Sequence, residues 1–466
     1  MNFADLRFWG YLLAALAVVL SLRFPASRLF PGRLVAFDKA ALLGIGIFLL
    51  FRVSWVTLLI FLAVAIGTYV GLAWIQKHHS QHAFKYLAVL IPLQLAPLLY
   101  FKYANFWCNS VLRLELEQLR NLMIPVGISF YTFQKVAFVV DTLAFKFPLP
   151  RFLDYMNFAG FFPQIVAGPI ERRSDLLPQM ENFRLRWRPD EINEGAGWMV
   201  VGFFFKCCLA DNLANLFDGL SATNAYLVWL ANLVFGLRIY YDFAGYSLIA
   251  VGVARCFGVR LTLNFLSPYS ATSIAEFWRR WHVTLSQWFR DYLYIPLGGG
   301  RVWFWAFNLT LVFVVSGVWH GAGWNFLLWG LLHAFFLIIN RVCRHLRVAG
   351  FIGWLMTMLA CFYAWLCFYE TSTPVLIAKM KLLLMPSAYS AVALREAVQL
   401  WSARNGIILA GILLLTTLTL VMEWLSVRKK NEPYFFLRRP GILIVLVILT
   451  MFLAPQKNNG FIYFAF

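Results

Sequence analysis

The sequence predicts an all-α polytopic integral membrane protein, and three observations carry that expectation. The mean hydropathy is +0.71 with only 13% charged residues, outside the range of a soluble globular domain. Apolar windows close to the ~20 residues that span a bilayer recur along the whole chain. These windows are continuous and do not alternate, which excludes a membrane β-barrel.

Taken in order, the windows fall at 8–22, 38–50, 53–75, 85–101, 121–141, 155–168, 196–210, 225–255, 303–318, 322–340, 351–369, 406–426 and 440–454. Several are shorter than a full span, so about 11 to 13 membrane helices are expected, some of them re-entrant or interfacial. The first window, "FWGYLLAALAVVLSLRF", lacks a cationic start and is followed at once by further spans, so it reads as a transmembrane helix and not as a signal peptide. No internal repeat or long soluble stretch divides the chain, and 1–466 reads as one membrane domain: peripheral spans over 1–120, a core over 121–340 where function is expected to lie, and plain spans over 351–466.

The net charge is +19, from 40 basic and 21 acidic residues. In a soluble protein this would point to nucleic acid. Here the basic residues gather in short connections, 171–190, 341–347 and 428–440, which is the positive-inside pattern of cytoplasmic loops facing anionic lipid, so a bilayer and no nucleic acid is the expected partner. The seven cysteines show no CxxC spacing and lie mostly in apolar runs, as small buried hydrophobes.

Polar residues concentrate in the middle third, where ionisable groups inside a membrane protein usually face a cavity. "GISFYTFQKVAFVVD" places Gln134, Lys135 and Asp141 in an apolar helix. Pro163, Gly168 and Pro169 in "FFPQIVAGPIERR" should break a helix at membrane depth. Arg238 and Asp242 stand four apart on one helical face, so an internal ion pair is expected, either as polar glue or as tunnel lining.

Two histidine segments stand out. In "FWRRWHVTLSQWFRDYLYIPLGGG", a helix from Phe277 to about Tyr292 gathers Trp278, Trp281, Leu285, Trp288 and Phe289 in one sector, with Arg279, Arg280, Gln287, Arg290 and Asp291 beside and opposite it. That profile predicts an interfacial helix, with His282 at the boundary of its aromatic sector next to Ser286. Pro296 and the glycines end it in a turn that lacks phosphate-loop spacing. In "SGVWHGAGWNFLLWGLLHA", His320 is flanked by Gly317, Gly321 and Gly323, which permit close approach of a backbone or a ligand. Burial favours the neutral imidazole that a general base needs. On an unbroken helix His333 would lie about 140° from His320, in a packing role. No carboxylate or cysteine accompanies either histidine at metal-ligand spacing, so no metal is expected.

At these residues the chain resembles the membrane-bound O-acyltransferases, in particular the bacterial branch of alginate O-acetylases and teichoic acid D-alanyl transferases. The matching stretches are "GISFYTFQKVAFVVD", "FFPQIVAGPIERRSDL", "YYDFAGYSLIAVGVARCFGVRLTLNFLSPY", the two histidine segments and the terminal "FIYFAF". The resemblance implies helices around a central funnel or tunnel, in a multi-pass protein of the bacterial inner membrane. It implies His320 as the principal catalytic residue and His282 as its partner, with Gln134, Arg238, Asp242, Ser286, Trp319 and Asn325 as tunnel-lining or supporting candidates. Glu171 is compatible with either bacterial type, and "DYLYIPLGG" leans toward the alginate type. No bound cofactor is implied; acetyl-CoA or an acyl carrier thioester is a co-substrate, and the acceptor is a polysaccharide or a periplasmic acyltransferase partner. A polysaccharide or lipid-intermediate transporter would also need a polar interior, but the expected inverted repeats are not visible.

Overall fold

The computed structural model describes residues 3–120, 122–218, 223–343, 350–399, 403–456 and 459–462. The end of the basic stretch 341–347 and most of the terminal "FIYFAF" lie outside them. The described residues form helices joined by turns, without a strand. Among the described residues nine helices are long and apolar enough to cross a membrane, from Leu6–Leu29 to Gly406–Lys430, and Trp305–His320 and Pro440–Leu453 are shorter apolar helices. Large hydrophobic side chains stand exposed along them, such as Ile407 at 73% and Phe452 at 83%, which is the surface a lipid solvent requires and water does not tolerate.

The chain divides into two compact units. The first comprises Met1–Met199 and Ala250–Thr262. Its spans Leu34–Val53 and Trp55–His78 carry polar anchors among apolar neighbours. Lys39 meets Asp154 at 2.5 Å and donates to the Glu181 carbonyl at 2.7 Å, while Asp38 accepts from Arg23 at 2.7 Å and from the Leu185 amide at 3.0 Å. Removing one partner of such a pair would strand a buried charge. Lys135, on the Ile128–Leu143 helix, donates to the Phe61 carbonyl at 3.2 Å and lies 4.1 Å over the Phe61 ring.

The apolar window 155–168 does not form a span. Its helix, Phe152–Ala159, stops at Gly160, and the chain continues as buried turns through Pro163 to a cis Gly168–Pro169 bond. The freed amides pair locally, Gln164 to the Phe161 carbonyl at 3.1 Å and Gly168 to the Gln164 carbonyl at 2.8 Å. The proline and glycine signals thus outweigh hydrophobicity here.

The second unit comprises Val200–Ile249 and Leu263–Phe466. Gly202 and Gly245 face each other across two helices so closely that a Cβ on either would lie 2.7–2.8 Å from the carbonyl oxygen of the other. Nearby, Lys206 binds Asp242 at 2.6 Å and Asp211 at 2.8 Å. This corrects the expected Arg238–Asp242 pair. The four-residue spacing does place both on one helix, but the buried Lys206 ammonium claims Asp242, and Arg238 turns to the exposed Asp218 at 3.8 Å. Cys208, Cys361 and Cys367 are buried and the other four cysteines are partly exposed; none is in a disulfide.

The glycine crossing generates a direct test. Gly202→Val should lower the stability of the solubilised protein by about 1–3 kcal/mol through overpacking. Gly411→Val, whose Cβ would meet nothing within 4 Å, should change it by less than about 0.5 kcal/mol. Thermal unfolding in detergent compares them, and coincident midpoints would contradict the close contact.

Candidate active site

The stretch around His282 is built from two short helices, Ile274–Arg280 and Val283–Phe289, and not from the single interfacial helix that its periodicity predicts. The first is well capped: Ser273 accepts from the Glu276 amide at 3.2 Å and Glu276 accepts in return from the Thr272 amide at 2.8 Å. The chain then turns extended at Trp281 (ψ 127°) and left-handed at His282 (φ 43°, ψ 55°). Histidine tolerates that region better than most residues, but only when its surroundings fix it.

Residues 264–266 do the fixing. The Val283 amide donates to the Asn264 carbonyl at 2.8 Å, and the Leu266 amide to the Arg280 carbonyl at 2.9 Å. The Asn264 side-chain oxygen sits 3.1 Å from His282 Nδ1, 2.8 Å from the Thr284 hydroxyl and 3.3 Å from the Thr284 amide. His282 is consequently 1% exposed, not placed at a wet boundary. Phe243 meets its ring edge-on at 4.8 Å, with Trp319 at 6.0 Å. Loss of hydration in this apolar shell pushes the imidazole pKa down to about 3.

The amphipathic pattern survives the break in part: Trp281, Leu285 and Phe289 are buried, and Arg279 and Arg290 are exposed. After a π-type turn over Arg290–Tyr294, Gly298 and Gly299 adopt positive φ and form the expected turn.

His320 is the last residue of the Trp305–His320 helix, where Gly321 to Gly323 turn the chain into Trp324–Val342. A Cβ at Gly317 would fall on the Phe326 carbonyl and one at Gly330 on the Phe313 carbonyl, so glycine lets the two backbones touch. His320 is 3% exposed, and Trp319, Trp329 and Phe368 ring it at 5.0, 5.0 and 5.3 Å. Trp319 therefore borders both His282 and His320. His333 is not on one unbroken helix with His320. It packs between Trp278 at 4.9 Å and Trp329 at 4.7 Å, consistent with a packing role.

Beside the two histidine segments lies a cavity of about 420 Å³. Its wall is largely apolar, including Leu285, Phe289, Val312 and Phe313, and Ser286, Ser316, Arg279 and Arg290 supply polar groups. Ser286 also donates to the Trp281 carbonyl at 3.2 Å. Asn325 is spent on structure, donating to the Cys367 carbonyl at 2.8 Å. Gln134 and Glu171 belong to the first unit. Gln134 donates to the Phe158 carbonyl at 3.3 Å. Glu171 accepts from the Thr262 amide at 2.6 Å, and burial pushes its carboxyl up to about 7. Among the described residues no three His, Cys, Asp or Glu side chains converge as a metal site.

Two further features were not among the expected site residues. Asn264 is one of several polar residues spaced through 260–267, and nothing in its spacing points to a histidine. Glu423 lies inside the Gly406–Lys430 span, so its rank as an intramembrane carboxyl is legible, and it corrects the expectation of plain spans over 351–466. It accepts from Tyr240 at 2.6 Å, Tyr240 meets the Tyr434 hydroxyl at 3.3 Å, and Tyr434 donates to the Phe265 carbonyl at 2.9 Å.

Comparison with known proteins gives the family. The sequence profile of the membrane-bound O-acyltransferase family matches residues 51–380. A peptidoglycan O-acetyltransferase of Helicobacter pylori is 31% identical over 84% of this chain and 84% of its own length. A probable alginate O-acetylase of Pseudomonas aeruginosa is 36% identical over 65% of this chain and 60% of that protein. A teichoic acid D-alanyltransferase of Bacillus subtilis is 30% identical over 46% of this chain and 58% of that protein. A transporter reading does not survive these matches. The chain belongs to the membrane-bound O-acyltransferase family and is a multi-pass membrane acyltransferase.

Proposed function

We propose that this protein takes an acetyl group from a cytoplasmic thioester, acetyl-CoA or an acyl carrier, and passes it across the bacterial inner membrane for O-acetylation of an exported polysaccharide such as alginate. One observation carries the reading. Two buried histidines, His282 and His320, border the same indole, Trp319, and the chain neighbour of the first, Val283, together with Ser316, one helical turn before the second, lines an apolar cavity that neither imidazole itself lines. The exposed Arg279 and Arg290 at that cavity suit an anionic carrier. A periplasmic acyltransferase partner would complete transfer to the polymer. D-alanyl transfer is the second reading; the O-acetylating relatives match a longer part of the chain than the D-alanyl transferase does.

In the chemistry, His320 takes the proton of the acceptor hydroxyl while its oxygen attacks the thioester carbonyl carbon. The new C–O bond forms, the C–S bond breaks, and the proton leaves with the thiolate as a free thiol. His282 orients the reactants or stabilises the oxyanion. Trp319 spaces the two rings, Ser286 lines the cavity, and Asn325, Arg238 and Asp242 support helices of the same unit; Gln134 supports the first unit, on the Phe158 carbonyl. The acyl donor is a co-substrate, not a bound cofactor.

Mass spectrometry of surface polysaccharides tests the assignment: deleting the gene should abolish O-acetyl groups, and complementation with His320→Asn should fail to restore them. Unchanged O-acetyl content in the deletion strain would overturn the acetyl reading. Alanyl esters lost in its place would select the second one.

A neutral His282 also has a pH signature. Its folded pKa of about 3 lies below the ordinary ~6.5, so the unfolded chain binds the extra proton as acid is added. Stability from burying the neutral ring is present above about pH 6.5 and is lost as pH falls, at up to about 1.4 kcal/mol per pH unit. Thermal unfolding from about pH 7.5 to about pH 5 should therefore show a smaller acid loss in His282→Asn than in the wild type. Parallel curves would remove His282 from the buried neutral set.

A further inference from the structure

The structure assigns Asn264 the role of a positioning residue that fixes His282 in the tautomer with hydrogen on Nδ1 and the lone pair on Nε2. This rests on the reading of His282 as part of the transfer site, and it deepens that reading by deciding what the imidazole can do there.

The two ends of an asparagine side chain are alike in shape, so its orientation must come from chemistry. The Thr284 backbone amide can only donate, and it lies 3.3 Å from the Asn264 side-chain atom in question. That atom is therefore the carbonyl oxygen. The Thr284 hydroxyl meets the same oxygen at 2.8 Å. A flipped amide would set its NH2 against the Thr284 N–H, donor facing donor, and the Asn264 Nδ2 has no acceptor among the described residues to reward another orientation. The backbone cannot swing either, because the Asn264 carbonyl is held by the Val283 amide at 2.8 Å.

His282 Nδ1 faces this same oxygen at 3.1 Å. Two lone pairs would repel at that distance, so Nδ1 carries the hydrogen. Burial against Phe243, Phe265 and Trp319 keeps the ring neutral, and a neutral imidazole has one hydrogen only. Nε2 is then a hydrogen-bond acceptor. It has nothing to donate to a developing oxyanion. Of the two roles open to His282, the tautomer selects the one in which Nε2 accepts from a substrate hydroxyl or thiol, and leaves oxyanion stabilisation to other donors.

The test uses the full-length protein with 15N-labelled histidine in lipid nanodiscs, with the His282 signals identified by their loss in His282→Asn. The expected spectrum has a protonated Nδ1 and an unprotonated Nε2. Asn264→Asp, which keeps an acceptor for both Nδ1 and Thr284, should preserve that pattern. Asn264→Leu should shift the ring toward the other tautomer and lower kcat at least about tenfold, with KM for the thioester little changed. Should Asn264→Leu fail to accumulate, the wild-type and Asn264→Asp spectra decide. Hydrogen on Nε2 in the wild type, or an Asn264→Leu ring identical to wild type, overturns the proposal. Because the spectrum is read without turnover, a protein with the assigned tautomer and no acetyl transfer would sink the functional reading alone.

Discussion

The left-handed turn at His282 is the constraint on which the rest of the second unit depends. Interrupting a helix without glycine or proline leaves backbone donors and acceptors that must find partners when they are buried. Here they are collected by residues 264–266, which pair with Arg280, Val283 and Thr284. The turn drives Trp281 inward, where it lies against Phe277 at 5.4 Å and Trp365 at 5.0 Å, and it brings His282 into a dry aromatic shell. The same short segment is held again by the Tyr434 hydroxyl on the Phe265 carbonyl, through the Tyr240 and Glu423 chain. A carboxyl within a membrane span thus contributes to the placement of a histidine that it does not touch.

The polar interior is arranged so that most buried charges have specific partners. Lys206 is shared between Asp211 and Asp242, and Asp242 accepts in addition from the Ile462 amide at 2.7 Å. Lys39 and Asp154 serve the first unit in the same way. In a lipid solvent such pairs specify which helix faces meet, since hydrophobicity alone does not distinguish one apolar face from another. Glycine contacts sharpen that choice, because Gly202 against Gly245 and Gly317 against Phe326 admit backbone where any side chain would collide.

Much of this was legible in the sequence, for physical reasons that also mark where legibility stops. Long apolar windows located the spans because length and hydropathy are properties of single segments. The break at Pro163 to Pro169 was readable from residue type, and so was the exposed placement of Arg279 and Arg290. The break at His282 was not, because nothing in Trp281–His282–Val283 opposes a helix; the signal lies in partners at 264–266. The Arg238–Asp242 pairing failed for the same reason, since a local spacing competes with a lysine more than thirty residues away that the fold brings to 2.6 Å. His320 stood out through its glycines, whereas Asn264, the residue that orients His282, carries no pattern of its own.

Under the proposed function, a thioester is cleaved at the His282–Trp319–His320 cluster. The most direct measurement is release of free thiol from acetyl-CoA by purified protein in proteoliposomes supplied with a hydroxyl acceptor. Wild-type protein should liberate thiol, and His320→Ala, at equal membrane content and unaltered thermal stability, should do so about 10²–10⁴-fold more slowly. Release by His320→Ala at close to the wild-type rate would contradict the assignment of that histidine and of the cluster built around it.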